Sequence, residues 1–149
     1  MPVLDTDLLI TYLRKSPKKP SIETQKRKEQ SIKVIESLFN DMPEDGRLIT
    51  TIFNVGELHV GVNQVADKEE ALKEINEFFN HCTILPFTLE DSFEFGKIKS
   101  HLYEIGKLCG DLDILIASIV VNQDETLYTN NIDHFINIHE IKLKDWMIL

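Results

Sequence analysis

Asp5, Glu57 and Asp113 stand in the most core-like stretches of this 149-residue chain, where a carboxylate is costly. In MPVLDTDLLITYL the only charged side chains are Asp5 and Asp7; in LITTIFNVGELHVGVNQ, apart from His59, there is only Glu57; in CGDLDILIASIVVNQ there are only Asp111 and Asp113. A fourth stretch, TLYTNNIDHF, ends with Asp133 and His134. An unpaired buried acid either takes up a proton or destabilises the fold, and no Lys or Arg lies within these stretches to pair with it. The economical expectation is that the acids converge on a divalent cation, with the oxygen ligands that Mg²⁺ or Mn²⁺ prefers.

The elements that would position these acids alternate along the chain. Apolar strands are expected at residues 2–4, 47–50, 82–85, 126–128 and 141–143. Helices are expected from Thr6 or Asp7 to about residue 13, and over 22–40, 52–64, 68–79, 89–104 and 111–122. The helical spacing puts Ile32, Ile35, Leu38 and Phe39 on one face, and Leu72, Ile75, Phe78 and Phe79 on another. Short strands separated by helices imply a mostly parallel sheet of about five strands covered on both faces, a three-layer α/β/α fold. Ligands then gather at the carboxyl ends of the strands.

Asp5 closes the first strand and so sits at that edge. Asp7 begins the following helix and is read either as its cap or as a ligand. Glu57 shares a helix face with Phe53, Val60 and Gly61, so it points where apolar neighbours point. Asp111 and Asp113 are about 200° apart around a regular helix and cannot both face one ion from within it. Asp113 is the expected ligand, on the side of Ile116, Ala117 and Val120, and Asp111 is the expected cap or outer-sphere partner.

The length suits one domain over residues 1–149. No run of about 18 apolar residues is present and no basic leader precedes the first strand, which leads us to expect a cytoplasmic protein without a membrane partner. Cys82 and Cys109 lack metal-type spacing and read as reduced packing residues. A net charge of −9 argues against a nucleic-acid partner, yet eight of the 16 Lys and Arg residues fall between Arg14 and Lys33. Within that strip Arg14, Lys18, Lys19, Lys26 and Arg27 are candidates for holding a phosphodiester beside an acidic metal site; the other reading is a solvated helix face.

Taken in order, these motifs resemble the PIN-domain ribonucleases, and the length and the ending LKDW most resemble the VapC toxins of toxin–antitoxin pairs. VLDTDLLI is similar to the first motif, TTIFNVGELHVGV to the helix bearing a Glu, GDLDILIAS to the DxxIA helix start at Asp113, and TNNIDHF to TxNxxDF. The resemblance implies Asp5, Glu57 and Asp113 as principal metal-site acids, supported by Thr129 and Asn131. Where the family pattern has Asn this chain has Asp7, and where it has its fourth acid this chain has His134, with Asp133 one residue early. Asp111 or Asp7 then compensates, and His134 is otherwise a capping or packing residue. The implied activity is metal-dependent cleavage of RNA by a water activated on Mg²⁺ or Mn²⁺. The implied partners are an antitoxin and a second copy of the chain. Two other readings stand beside it: a catalytically silent PIN-like module that binds RNA or protein, and a haloacid-dehalogenase-type phosphatase suggested by DTD after an apolar strand.

Overall fold

The first strand needs only two residues. The computed structural model describes residues 1–149, and β1 is Val3–Leu4, both side chains fully buried. Because successive strand side chains point to opposite faces, Leu4 enters one core cluster and Val3 the other. The chain continues through α1 (Thr6–Leu13), α2 (Ile22–Asp41), β2 (Leu48–Thr51), α3 (Ile52–Val62) and α4 (Lys68–Phe79). There follow β3 (Cys82–Leu85), α5 (Leu89–Glu104), α6 (Asp111–Asn122), β4 (Thr126–Tyr128), α7 (Ile132–Phe135), β5 (Lys142–Lys144) and a closing 3₁₀ turn, Trp146–Ile148.

All five strands are parallel, in the order β3-β2-β1-β4-β5. Val3 pairs with Ile49 on one side and with Leu127 on the other. On one face Leu4, Leu8, Leu9, Ile35, Leu58, Phe78 and Trp146 form a core with α1 to α4. On the other face Val3, Leu102, Ile114, Ile116, Leu127 and Phe135 form a second core with α5 to α7. The result is the expected three-layer α/β/α arrangement. The strand order reverses between β1 and β4, and such a reversal opens a crevice beyond the carboxyl ends of the two strands. No helix is long and apolar enough to cross a membrane. Cys82 and Cys109 are both free thiols.

Local chemistry explains where the sequence reading and the fold differ. Arg47 was expected inside the second strand; instead its guanidinium donates to the Cys82 carbonyl, with Nη2 at 2.6 Å, and pairing starts at Leu48. The last strand is Lys142–Lys144 rather than 141–143, an edge strand whose two exposed lysines flank the half-buried Leu143. α7 and the 3₁₀ turn were not expected, because three or four residues are too few to show a helical period. Phe39 lies exposed with its ring edge-on to His81, and α2 buries Ser31, Val34 and Ile35. Leu72 is also exposed, while Ile75 and Phe78 turn inward.

That last pair separates true core from apparent periodicity. Ile75→Ala should cost about 2–5 kcal/mol in urea unfolding, the usual range for a buried Ile truncated to Ala. Leu72→Ala should change stability by less than about 0.5 kcal/mol.

Candidate active site

Asp5 follows β1 and caps α1, its backbone extended at φ −79 and ψ 161. That places its carboxylate in the crevice where the strand order reverses, only 5% exposed. Oδ1 accepts from the Thr6 N–H at 2.8 Å and from Asn54 Nδ2 at 2.9 Å; Oδ2 accepts from the Thr129 hydroxyl at 2.6 Å. No Lys or Arg forms an ion pair with it. Burial pushes the Asp5 carboxyl up to about 6 against the pull of the Thr129 and Thr6 bonds, and the nearby charges of Asp7 and Glu57 push the same way as burial.

Glu57 is fixed through a hydroxyl. Thr6 Oγ1 donates to Glu57 Oε1 at 2.6 Å and accepts from Asn54 Nδ2 at 2.9 Å, so two carboxylates hang on one Thr–Asn pair. Asn54 is itself locked by a capping box with Thr51 at the start of α3, its Oδ1 accepting from the Thr51 hydroxyl at 2.7 Å. Thr6 and Asn54 escaped the sequence reading. The spacing of Thr51 and Asn54 was the available signal, and it marks a helix start rather than a site.

Asp113 lies in the first turn of α6, half-buried, with Oδ2 3.2 Å from His134 Nδ1 on α7. Burial raises its carboxyl above the ordinary value, opposed by His134. Thr129 is fully buried, and its hydroxyl accepts from the Asn131 N–H at 3.0 Å while donating to Asp5. Asn131 thus contributes its backbone, and its side chain forms no cap bond.

Three expectations need correction. Asp111 is not the cap: Gly110 occupies that position, and the exposed Asp111 carboxylate pairs with Lys99 on α5 at 2.8 Å. Asp7 does not cap α1, because Asp5 does. Asp7 is the second residue of that helix, and its Oδ2 accepts from the Asn130 N–H at 2.7 Å and the Trp146 indole at 3.2 Å. Burial raises the Asp7 carboxyl, and these bonds and the Arg27 charge pull it back. Asp133 is exposed on α7, and it is the neighbouring His134 that reaches Asp113. Lys99 and Arg27 also show that cations from distant helices reach acids that have none nearby in sequence.

Arg27 is half-buried, with Nη1 2.7 Å from Asn130 Oδ1 and its guanidinium over the Trp146 ring at 5.0 Å. Arg14, Lys18, Lys19 and Lys26 are exposed. No trio of His, Cys, Asp and Glu side chains stands close enough to enclose an ion. The donor chemistry nonetheless fits a hard divalent cation. Asp5 and Glu57 are oxygen donors joined by Thr6 and lack a neutralising base, and the third carboxylate, Asp113, is held by an imidazole rather than by a Lys or Arg.

No family model matches the chain. The ribonuclease VapC2 of Rickettsia felis is 32% identical over 92 residues, which span 62% of this chain and 69% of that protein. The ribonuclease VapC2 of Haemophilus influenzae is 26% identical over 145 residues, 97% of each chain. Among solved structures the fold is similar to VapBC2 from Rickettsia felis bound to a DNA fragment from their promoter, with TM-score 0.78 and 24% identity over 97% of both chains. It is equally similar to FitAcB from Neisseria gonorrhoeae, with TM-score 0.79 and 23% identity over the whole of both chains.

The Asp5 environment sets a pH dependence of stability. The folded state binds the Asp5 proton more tightly than the unfolded chain does, so this group favours folding below pH 3.8 and the advantage is lost as pH rises through about 6. In the presence of a chelator, unfolding free energy from Asp5 should fall by about 1 kcal/mol between pH 5 and pH 7.5. Asp5→Asn, measured by urea unfolding at both pH values, should remove that part of the decline.

Proposed function

The chain belongs to the VapC ribonuclease family, and from that premise we propose that it is a metal-dependent endoribonuclease, the toxin of a toxin–antitoxin pair. The observation that carries the reading is the Asp5–Thr6–Glu57 arrangement: two carboxylates at the crevice, both held by Thr6, Asp5 through its N–H and Glu57 through its hydroxyl, and neither paired with a Lys or Arg. Asp5, Glu57 and Asp113 would hold Mg²⁺ or Mn²⁺, and the bound ion would supply an acidified water and positive charge against the phosphate.

The chain's own residues then have defined tasks. Asn54 and Thr129 hold the two Asp5 oxygens in place, so the carboxylate is oriented before any ion arrives. Thr6 does the same for one Glu57 oxygen and leaves the other free. His134 occupies one oxygen of Asp113, in the position where the family pattern has an acid. Preorganised side chains of this kind need no rearrangement during reaction.

The substrate in this reading is RNA, which places its action in the cytoplasm. Solved structures of similar fold include members of toxin–antitoxin systems, and we extend an antitoxin partner to this chain. A groove of about 380 Å³ between α1, α3 and α4, walled by Ile10, Leu13, Leu58, Val62, Val65 and Ile75, offers an apolar seat for it. Exposed Ile52 and Val60 on α3 and Leu89 and Phe93 on α5 would be covered in a homodimer.

One observation favours the silent-module reading: His134 in place of a fourth acid, with no closed three-donor cage. The phosphatase reading loses ground, because Asp7 is committed to the Asn130 N–H and the Trp146 indole and is not free to act as acid or base. Purified protein should cut a mixed RNA pool with Mg²⁺ or Mn²⁺ and not with EDTA. Glu57→Gln should lower the rate by at least about 100-fold while keeping the wild-type circular dichroism spectrum. Induced wild type should halt growth, Glu57→Gln should not, and a co-expressed antitoxin should restore it. A wild type that folds and binds Mn²⁺ but cuts no RNA would establish the silent module instead.

A further inference from the structure

The strip of basic residues divides in the fold. Arg14, Lys15, Arg27 and Lys28 line a cavity of about 190 Å³ between the end of α1 and the start of α2, and no acidic residue lines it. In a protein of net charge −9 such a gathering of like charge is unfavourable unless something offsets it. Part of the offset is internal. The Lys28 ammonium donates to the Tyr12 carbonyl and, at 2.9 Å, to that of Arg14, both at the open end of α1, and burial lowers its proton affinity. Lys15 is reached from the rim by Glu74 at 3.1 Å. Arg14 has no hydrogen-bond or ion-pair partner for its guanidinium.

Position gives the cavity its meaning. Arg27 reaches Asn130 at 2.7 Å, and the neighbouring residue Thr129 reaches the Asp5 carboxylate at 2.6 Å, so one short loop joins the cationic wall to the carboxylate crevice. The hydroxyl residues Ser16 and Thr24 also line it, beside Ile10, Thr11 and Pro17. A free guanidinium beside ammonium groups and hydroxyls is the donor set that recognises a phosphodiester.

We propose that this cavity is a phosphate subsite that grips the RNA backbone a short distance from the bond being cut. It rests on the ribonuclease reading above and adds to it the route the strand takes, along the α1–α2 junction. Lys18, Lys19 and Lys26, which stand exposed outside the cavity, contribute only to the long-range field. Arg27 and Lys28 hold the structure as well as the ligand, so the test falls on Arg14 and Lys15.

Arg14→Gln/Lys15→Gln is compared with Lys97→Gln/Lys142→Gln, which removes the same charge from α5 and β5, outside the cavity. Binding of a fluorescent single-stranded RNA is measured by anisotropy in EDTA over a range of salt, and cleavage is measured in Mn²⁺. The cavity variant should bind RNA about ten-fold more weakly, with a salt slope shallower by ~0.7 for each phosphate it no longer neutralises, and KM should rise with kcat unchanged. Inorganic phosphate should compete for RNA with the wild type and less with the cavity variant.

If the two double variants share one affinity and one slope while both cut RNA, the subsite is wrong and the ribonuclease reading stands. If wild type cuts no RNA but its RNA binding still depends on Arg14 and Lys15, the subsite stands and the ribonuclease reading falls. RNA binding unchanged in the cavity variant, with loss of a poly-glutamate peptide that wild type captures, would overturn the phosphate assignment in favour of an acidic partner segment.

Discussion

A carboxylate that is almost wholly removed from water, with no base to neutralise it, is the constraint around which this molecule is arranged. Asp5 can be held there only because three donors from separate parts of the chain converge on it: the Thr6 N–H, the Asn54 amide and the Thr129 hydroxyl. Those bonds offset part of the desolvation cost without cancelling it, and the Asp5 carboxyl remains raised to about 6. A bound divalent cation would relieve residual strain of this kind.

The parallel sheet supplies the geometry that makes such convergence possible. β1 has only two residues, so the chain leaves the sheet at Asp5 while β2 and β4 on either side deliver Thr51, Asn54 and Thr129 to the same end. Asp7 performs a different task one step further along. By accepting from the Asn130 N–H and the Trp146 indole it ties the first helix to the last segment of the chain, and Arg27 closes the same corner from α2. Two acids two residues apart therefore divide the labour, Asp5 unpaired with any Lys or Arg and Asp7 spent on structure.

Much of this was legible in the sequence. α4 to α6, β3 and β4 run within the bounds expected from the sequence, although Gly110 rather than Asp111 caps α6. Asp5 and Glu57 announced themselves as acids in apolar surroundings. The roles of Thr6, Asn54, Asp7 and His134 did not, because each depends on a bond to a residue distant in the chain or across a loop: Asn54 lies 49 positions from Asp5, and Trp146 lies 139 from Asp7. Asp111 misled for a related reason. A capping position and a salt bridge use the same side chain, and only the packing of α5 on α6 puts Lys99 within 2.8 Å. The resemblance to PIN-domain ribonucleases selected the right family, and it could not say what His134 does in place of an acid.

The central claim is that Asp5 and its neighbours form a cation site whose metal-free state is partly protonated. Metal binding to such a site releases the proton. Calorimetric titration with Mn²⁺ at pH 5.5, in two buffers of different ionisation enthalpy, measures that release directly. The account predicts saturable binding by wild type with release of most of one proton, and no release by Asp5→Asn. Binding without proton release, or no binding at all, would contradict it.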